Sequence, residues 1–113
     1  GKGYRVRENI MLRKPRAQID VLGVSEGVSV AVDCKHWARS SGRGVLGRLV
    51  EAQKARARRL HDGLDDIGPI APVILTLVDG GERFAGGGAV VPIFAFGDFL
   101  DSLDGLLEHI ELV

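Results

Sequence analysis

Two charged side chains close a mostly apolar stretch near the middle of the chain. Asp33 and Lys35 follow residues 28–32 and are separated only by Cys34. If this stretch is a strand, Asp33 and Lys35 project side by side from one face while Cys34 points to the other. Unpaired buried charges are costly, so two charged residues on a core strand require a reason. The pattern therefore marks a candidate site.

A second carboxylate, Asp20, lies in the preceding apolar segment. A turn near Glu26 would fold the two segments into a hairpin and place Asp20 within a few residues of opposite Asp33. Two carboxylates held together form a site for a hard divalent cation, Mg²⁺ with Mn²⁺ as a substitute. A lysine beside them can position or activate a metal-bound water. The alternative is an Asp33–Lys35 ion pair at a strand end, with Asp20 a surface acid.

Hydrophobic periodicity predicts the elements that must position these side chains. Strands are predicted at 4–12, 19–24, 28–36, 72–78 and 90–96, and the glycine-rich stretch 79–88 is predicted to be an irregular loop. A helix is predicted at 45–60, and a last helix is predicted after the cap Gly97-Asp98. The order β-β-β-α-β-β-α predicts an α/β fold, a mixed β-sheet flanked by helices, as one domain over 1–113.

Bulk composition limits the classes of protein that the chain can belong to. It has 113 residues, 45% of them hydrophobic and 27% charged, which suits one globular domain. No apolar run approaches the roughly 18 residues that span a membrane, and the lone Cys34 cannot form an internal disulfide. We therefore expect a cytoplasmic protein without a membrane partner.

Charge is divided unevenly along the chain, although the net charge is zero. Residues 1–59 carry 14 Lys and Arg against 5 Asp and Glu, whereas residues 60–113 carry 1 against 10. Such asymmetry is typical of a nucleic-acid surface, but the charges can equally mix in three dimensions. Both interpretations stay open on charge alone.

The order of these motifs resembles the PD-(D/E)XK nuclease superfamily, closest to archaeal Holliday-junction resolvases and Mrr-like restriction endonucleases. The resemblance is carried by Ile19-Asp20-Val21-Leu22, by Val30-Ala31-Val32-Asp33-Cys34-Lys35, by Gly3-Tyr4-Arg5-Val6, and by residues 92–96 and 99–103. It implies a restriction-endonuclease-like fold and a Mg²⁺-dependent DNA endonuclease. Asp20 and Asp33 would then bind the metal, and Lys35 would act in catalysis.

The chain departs from this family pattern in two places. Ile19 precedes Asp20, where the family often has proline. The family usually opens with a helix that carries a metal-binding glutamate, whereas this chain starts at the first strand, so we expect a nuclease-like domain that lacks the helix. Glu8 is then either a third metal ligand or a strand-end acid. A non-catalytic nucleic-acid-binding module of a larger protein is the alternative function.

Further candidates lie on and before the first predicted helix. Gln53 is polar on an otherwise apolar stripe, and it either reaches the metal-bound water or scissile phosphate or caps a buried backbone group. Four basic residues are candidates for contacts with the DNA backbone, with a solvated basic helix as the alternative: Arg39, Arg43, Arg48 and Lys54. Symmetric cuts in two strands would call for a two-fold homodimer.

Overall fold

A mixed β-sheet with helices against both faces forms the part of the chain that the structure, a computed structural model, describes: residues 4–13, 16–35, 42–63, 67–81 and 83–113. The strands are β1 (Arg5–Leu12), β2 (Ala17–Val24), β3 (Ser29–Lys35), β4 (Ile70–Thr76), β5 (Phe84–Ala85) and β6 (Gly88–Pro92). The helices are α1 (Arg43–Gly63), α2 (Phe96–Asp101) and α3 (Leu103–Leu106), with single 3-10 turns at Ile93–Ala95 and Leu107–His109.

The strand order in the sheet is β1-β2-β3-β4-β6-β5. Strands β1, β2 and β3 form an antiparallel meander, while β3, β4 and β6 run parallel and β5 pairs antiparallel with β6. The chain crosses from β3 to its parallel neighbour β4 through α1, since parallel strands need such a crossover. The predicted α/β class with a mixed sheet is therefore confirmed.

Helix α1 covers one face of the sheet, and α2 and α3 cover the other. Ala57 and Leu60 of α1 pack in a cluster with Ala31 of β3. Val30 and Val32, the neighbours of Ala31, belong to a second cluster on the opposite face together with Phe99 and Leu103. Strand β3 is therefore buried on both sides, which explains why it is almost continuously apolar.

Strand β5 was not predicted, because residues 79–88 were expected to form an irregular loop. Phe84 pairs with Ala89 and Ala85 with Gly88, joined by a two-residue turn at Gly86 and Gly87. Both turn residues have positive φ, 56° and 87°, which is the backbone that hairpin turns of this length require. The predicted order of elements was therefore wrong by one strand, because a two-residue strand has no measurable periodicity.

The C-terminal elements also differ from the prediction. Strand β6 ends at Pro92, and the residues predicted to continue it form a 3-10 turn in which Phe94 is 74% exposed. Helix α2 begins at Phe96 without a side-chain cap, so Gly97-Asp98 lies inside the helix. A short apolar run such as 90–96 does not distinguish a strand from a helical turn. None of the helices in the described ranges is both long and apolar enough to cross a membrane.

Candidate active site

Asp20 and Asp33 lie on neighbouring strands, each one residue beyond the last pair between β2 and β3. The β2–β3 pairing runs through Gly23–Val30, Leu22–Ala31 and Val21–Val32, and one residue further along each strand stand the two aspartates. Beyond the last pair, the Cys34 N–H donates its hydrogen bond to a side chain of β2: Asp20 Oδ2 accepts it over 3.0 Å. The predicted hairpin thus brings both carboxylates to the end of the β2–β3 ladder.

A local irregularity in β1 and β2 directs the Asp20 side chain. Ile19 and Leu22 are both fully buried in the cluster under α1, although three residues of regular strand would place them on opposite faces. The β1–β2 register skips Asn9 and Asp20, and Asn9 has a φ of 51°, in the left-handed region. The Gln18 amide donates to Asn9 Oδ1 at 3.0 Å and to Asp20 Oδ1 at 3.3 Å. Both oxygens of Asp20 are therefore held by neutral donors.

Asp33 is the buried carboxylate of the pair. It is 7% exposed and shares its face of β3 with Lys35, whose Nζ lies 3.1 Å from Asp33 Oδ2. Although this is ion-pair distance, Oδ2 is also a buried oxygen without a well-aligned hydrogen bond, so the ammonium approaches it from an unfavourable direction. Asp33 Oδ2 therefore has acceptor capacity that Lys35 does not use.

The two carboxyl groups interact electrostatically. Burial, the largest cause, raises the pKa of Asp33, the Lys35 ammonium 3.1 Å away lowers it, and the neighbouring Asp20 carboxyl group raises it. The pKa of the Cys34 thiol is also raised, first by burial and then by the charges of Asp20 and Asp33. Two carboxyl groups thus lie close together at this end of the hairpin, where they could supply oxygen ligands to a cation.

Helix α1 contributes two further side chains to the site. Gln53 is fully buried; its Oε1 accepts a hydrogen bond of 2.9 Å from Arg56 Nη1, while its Nε2 has no partner among the described residues. The same Nη1 of Arg56 lies 3.9 Å from Asp33 Oδ2. Arg56 therefore links the predicted Gln53 to the predicted Asp33. Sequence reasoning missed Arg56, although its position three residues after Gln53 places it on the same side of a helix.

The donor set suits a hard cation that keeps part of its water shell. Within the described residues no group of three His, Cys, Asp or Glu could enclose a metal ion. Mg²⁺ does not require such a cage, because it is commonly bound by one or two carboxylates and completed by water and substrate phosphate. The Asp20–Asp33 pair, with the incompletely used Asp33 Oδ2, fits that mode of binding.

Glu8 lies apart from the buried carboxylate. It is exposed, and it pairs with Val21, whose side chain packs with the cluster under α2 and α3. Glu8 does line a shallow cleft with Asp20, Asn9, Val21 and Cys34. Its carboxylate is thus near one of the two aspartates, while Asp33 faces α1.

The four basic candidates have different surroundings. Arg39 lies outside the described residues, whereas Arg43 and Arg48 are exposed in the first half of α1. Lys54 is only 4% exposed, and its Nζ donates to Glu51, to Glu111 and to the Gly86 carbonyl. Its hydrogen bond to Glu111 is the main reason that the pKa of Lys54 is raised. Lys54 was predicted to contact phosphate, but its ammonium is hydrogen-bonded to acceptors of the protein itself.

Comparisons with known proteins give no match. No family model, no curated protein and no solved structure is similar to this chain at a significant level. Function is therefore inferred from the geometry and chemistry of the site itself.

Proposed function

We propose that the chain is a metal-dependent DNA endonuclease with a restriction-endonuclease-like fold. One observation carries the proposal: Asp20 and Asp33 directly follow the last β2–β3 pair, Val21–Val32, and Lys35 Nζ lies 3.1 Å from Asp33 Oδ2. Two carboxylates and a lysine at one strand end are the groups that metal-assisted phosphodiester hydrolysis needs. The resemblance of the motifs to PD-(D/E)XK nucleases supports the same assignment.

Each charged group has a separate role in this proposal. Asp20 and Asp33 hold Mg²⁺ or Mn²⁺, which when bound neutralises the phosphate and lowers the pKa of a water ligand. The Lys35 ammonium stabilises negative charge that develops on the phosphate and orients the attacking water. Hydrolysis forms a bond from the water oxygen to phosphorus and breaks the bond to the leaving sugar oxygen. One proton passes overall from the water to that oxygen.

DNA is the proposed partner because the helix that brings Arg56 to Asp33 also carries exposed basic side chains. Arg43 and Arg48 are exposed on α1, the same helix that brings Arg56 to Asp33. Cationic side chains on one helix can hold consecutive phosphates without reading a sequence. Cuts in both strands of a branched or modified DNA would require a second copy of the chain, as a two-fold homodimer.

One observation favours a second function, a non-catalytic nucleic-acid-binding module of a larger protein. Lys35 and Arg56 place two positive charges within 3.1 Å and 3.9 Å of Asp33 Oδ2. Such cations can satisfy the carboxylate without a metal ion, and the site would then be structural. The two functions differ in a simple property, because only the nuclease cleaves the DNA that it binds.

Cleavage of labelled DNA tests the proposal. Linear duplex, single-stranded and four-way-junction DNA are incubated with the protein in Mg²⁺, in Mn²⁺ or in EDTA. We expect cleavage only with a divalent cation, and loss of cleavage in Asp33→Ala and Lys35→Ala. Glu26→Ala, in the exposed β2–β3 turn, is the matched control and should cleave normally. Binding without cleavage under every condition would favour the binding module, and cleavage that survives Asp33→Ala would contradict the site.

A further inference from the structure

Arg56 lies between two buried groups of the candidate site. Its Nη1 donates to Gln53 Oε1 over 2.9 Å and lies 3.9 Å from Asp33 Oδ2, beyond ordinary hydrogen-bond length. Lys35 Nζ lies closer to the same oxygen, at 3.1 Å. Arg56 is thus firmly hydrogen-bonded to Gln53 and only loosely paired with Asp33.

The balance of charge at this site changes when a divalent cation is added. Asp20 and Asp33 carry two negative charges, and Lys35 and Arg56 supply two positive ones, so the four side chains are neutral together. A divalent ion at Asp33 would leave an excess of two positive charges in a partly buried place, which is unfavourable. The excess falls from two charges to one if one cationic side chain leaves Asp33 and pairs with the single negative charge of an incoming phosphodiester.

Geometry selects Arg56 as the side chain that leaves. Lys35 is adjacent to Asp33 on the face of β3 and is the closer cation, whereas Arg56 reaches across from α1. The two side chains are equally exposed, 27% for Lys35 and 26% for Arg56, so distance and not exposure separates them. A guanidinium is also suited to phosphate, because its planar N–H groups match two phosphate oxygens at once.

We propose that Arg56 is a phosphate-binding residue of this site that competes with the divalent cation for Asp33 until substrate arrives. The inference rests on the proposed nuclease function and adds a role for a residue outside the Asp20–Asp33–Lys35 set. In the metal-free protein, Arg56 occupies the open side of Asp33. When the cation and the substrate have both bound, Arg56 releases Asp33 and holds the phosphate of the substrate, while its hydrogen bond to Gln53 Oε1 is kept.

Calorimetric titration with Mg²⁺ in the absence of nucleic acid tests the competition directly. Arg56→Met should bind Mg²⁺ about tenfold more tightly than the wild type, because a positive charge near the ligand oxygen is gone. Arg56→Lys keeps the charge and should stay near the wild-type affinity. Arg58→Met, an exposed residue on the same helix, removes the same net charge and should change nothing. Arg56→Gln provides a second neutral variant if Arg56→Met does not fold.

Binding of a fluorescein-labelled single-stranded oligonucleotide in Ca²⁺ tests the phosphate contact. Arg56→Met should bind it about tenfold more weakly, with Arg56→Lys in between, whereas Arg58→Met, which loses the same net charge, should lose clearly less affinity than Arg56→Met. An unchanged or weaker Mg²⁺ affinity in the neutral Arg56 variants would overturn the proposal and leave Arg56 as a support for Asp33. If the wild type takes up no more Mg²⁺ than Asp33→Asn, the nuclease function itself fails. The two failures are therefore distinguishable.

Discussion

The Cys34 N–H donates to the Asp20 carboxylate rather than to a backbone carbonyl, over 3.0 Å. This hydrogen bond joins the Asp20 side chain of β2 to the backbone of β3 at Cys34, the residue between Asp33 and Lys35. The position of Asp20 relative to Asp33 is therefore set by the backbone and not by flexible side chains. A metal site needs this kind of preorganisation, because the repulsion between its carboxylates would otherwise drive them apart.

Replacing Asp20 should change the titration of Asp33. Burial is the largest cause of the raised Asp33 pKa, and Asp20 adds to it as a neighbour, so Asp20→Asn should lower the Asp33 pKa without returning it to an ordinary value. Carbon-13 NMR titration of the aspartate carboxyl groups measures this. Glu26→Gln in the exposed turn is the control and should leave Asp33 unaffected. An Asp33 pKa that is unchanged in Asp20→Asn would show that the carboxyl groups do not interact.

Asp33 should reduce the stability of the fold at neutral pH. Its folded-state pKa is raised above the ordinary value, so the folded state binds more protons, and stability is lost as the pH rises through the folded pKa. Asparagine does not ionise, so Asp33→Asn does not lose stability as the pH rises. We therefore expect the variant to melt at a higher temperature than the wild type at pH 7, with the difference vanishing below the ordinary pKa of aspartate, about 3.9.

Thermal melts from pH 3 to pH 8 check this expectation about Asp33. A variant that is less stable than the wild type at pH 7 would mean that Lys35 and Arg56 stabilise the fold through Asp33 more than burial opposes it. If Asp33→Asn loses Mg²⁺ binding and is more stable than the wild type, Asp33 trades stability for function, as functional residues commonly do.

The buried ammonium of Lys54 should stabilise the fold and contribute nothing to DNA binding. It joins α1 to Glu111 near the end of the chain and to the carbonyl of Gly86. Lys54→Gln should therefore lower the melting temperature and leave DNA affinity unchanged. Arg48→Gln, a change at an exposed residue of the same helix, should weaken DNA binding and leave the melting temperature unchanged. Weaker DNA binding by a folded Lys54→Gln protein would show that the lysine does reach the nucleic acid.

The Lys54–Glu111 pair should also make stability depend on pH. Glu111 has a lowered pKa, chiefly because Lys54 donates a hydrogen bond to it. Its contribution is therefore present above the ordinary pKa of glutamate and is lost as the pH falls through the folded pKa. Glu111→Gln should be less stable than the wild type at pH 7, with the difference shrinking as the pH falls below the ordinary pKa of glutamate. Urea unfolding across this range measures the effect, with the exposed Glu108→Gln as control.

Close packing of β6 against α1 gives a prediction about stability. A Cβ at Gly88 would meet Val50 Cγ1 at 2.6 Å and Cγ2 at 2.9 Å, so Gly88→Ala should destabilise the fold by about 1–3 kcal/mol. A Cβ at Gly47 of α1 meets nothing within 4 Å, so Gly47→Ala should stabilise by about 0.5–1 kcal/mol. Denaturant unfolding of both variants compares them. Equal stability of the two would contradict the close approach of β6 to α1.

The central cluster was predictable from sequence because it depends on local geometry. Period 2 places Asp33 and Lys35 on one face, and the short β2–β3 turn brings Asp20 and Asp33 to the end of the same ladder. The α/β class followed from the change of period between β3 and α1. These features require no knowledge of how distant elements pack.

The features that the sequence did not indicate depend on distant contacts. Whether Arg56 reaches Asp33 depends on how α1 packs across the sheet. The hydrophobic pattern of a helix does not determine that packing. Sequence alone predicted that Lys54 binds phosphate, because its partner Glu111 lies 57 residues away along the chain. The β5–β6 hairpin had a local signal in Gly86-Gly87, but its strand β5 has only two residues and shows no alternation.

A single-turnover measurement of DNA cleavage tests most directly whether Asp20 and Asp33 form one metal-dependent catalytic site. Wild type, Asp20→Asn, Asp33→Asn and the double variant are compared in Mg²⁺ and in EDTA, with melting curves confirming that each is folded. We predict metal-dependent cleavage by the wild type, a loss of at least about a hundredfold in each single variant, and no further loss in the double variant, because the two groups act as a unit. Cleavage by Asp33→Asn at the wild-type rate, or equal cleavage by the wild type in EDTA, would contradict the assignment.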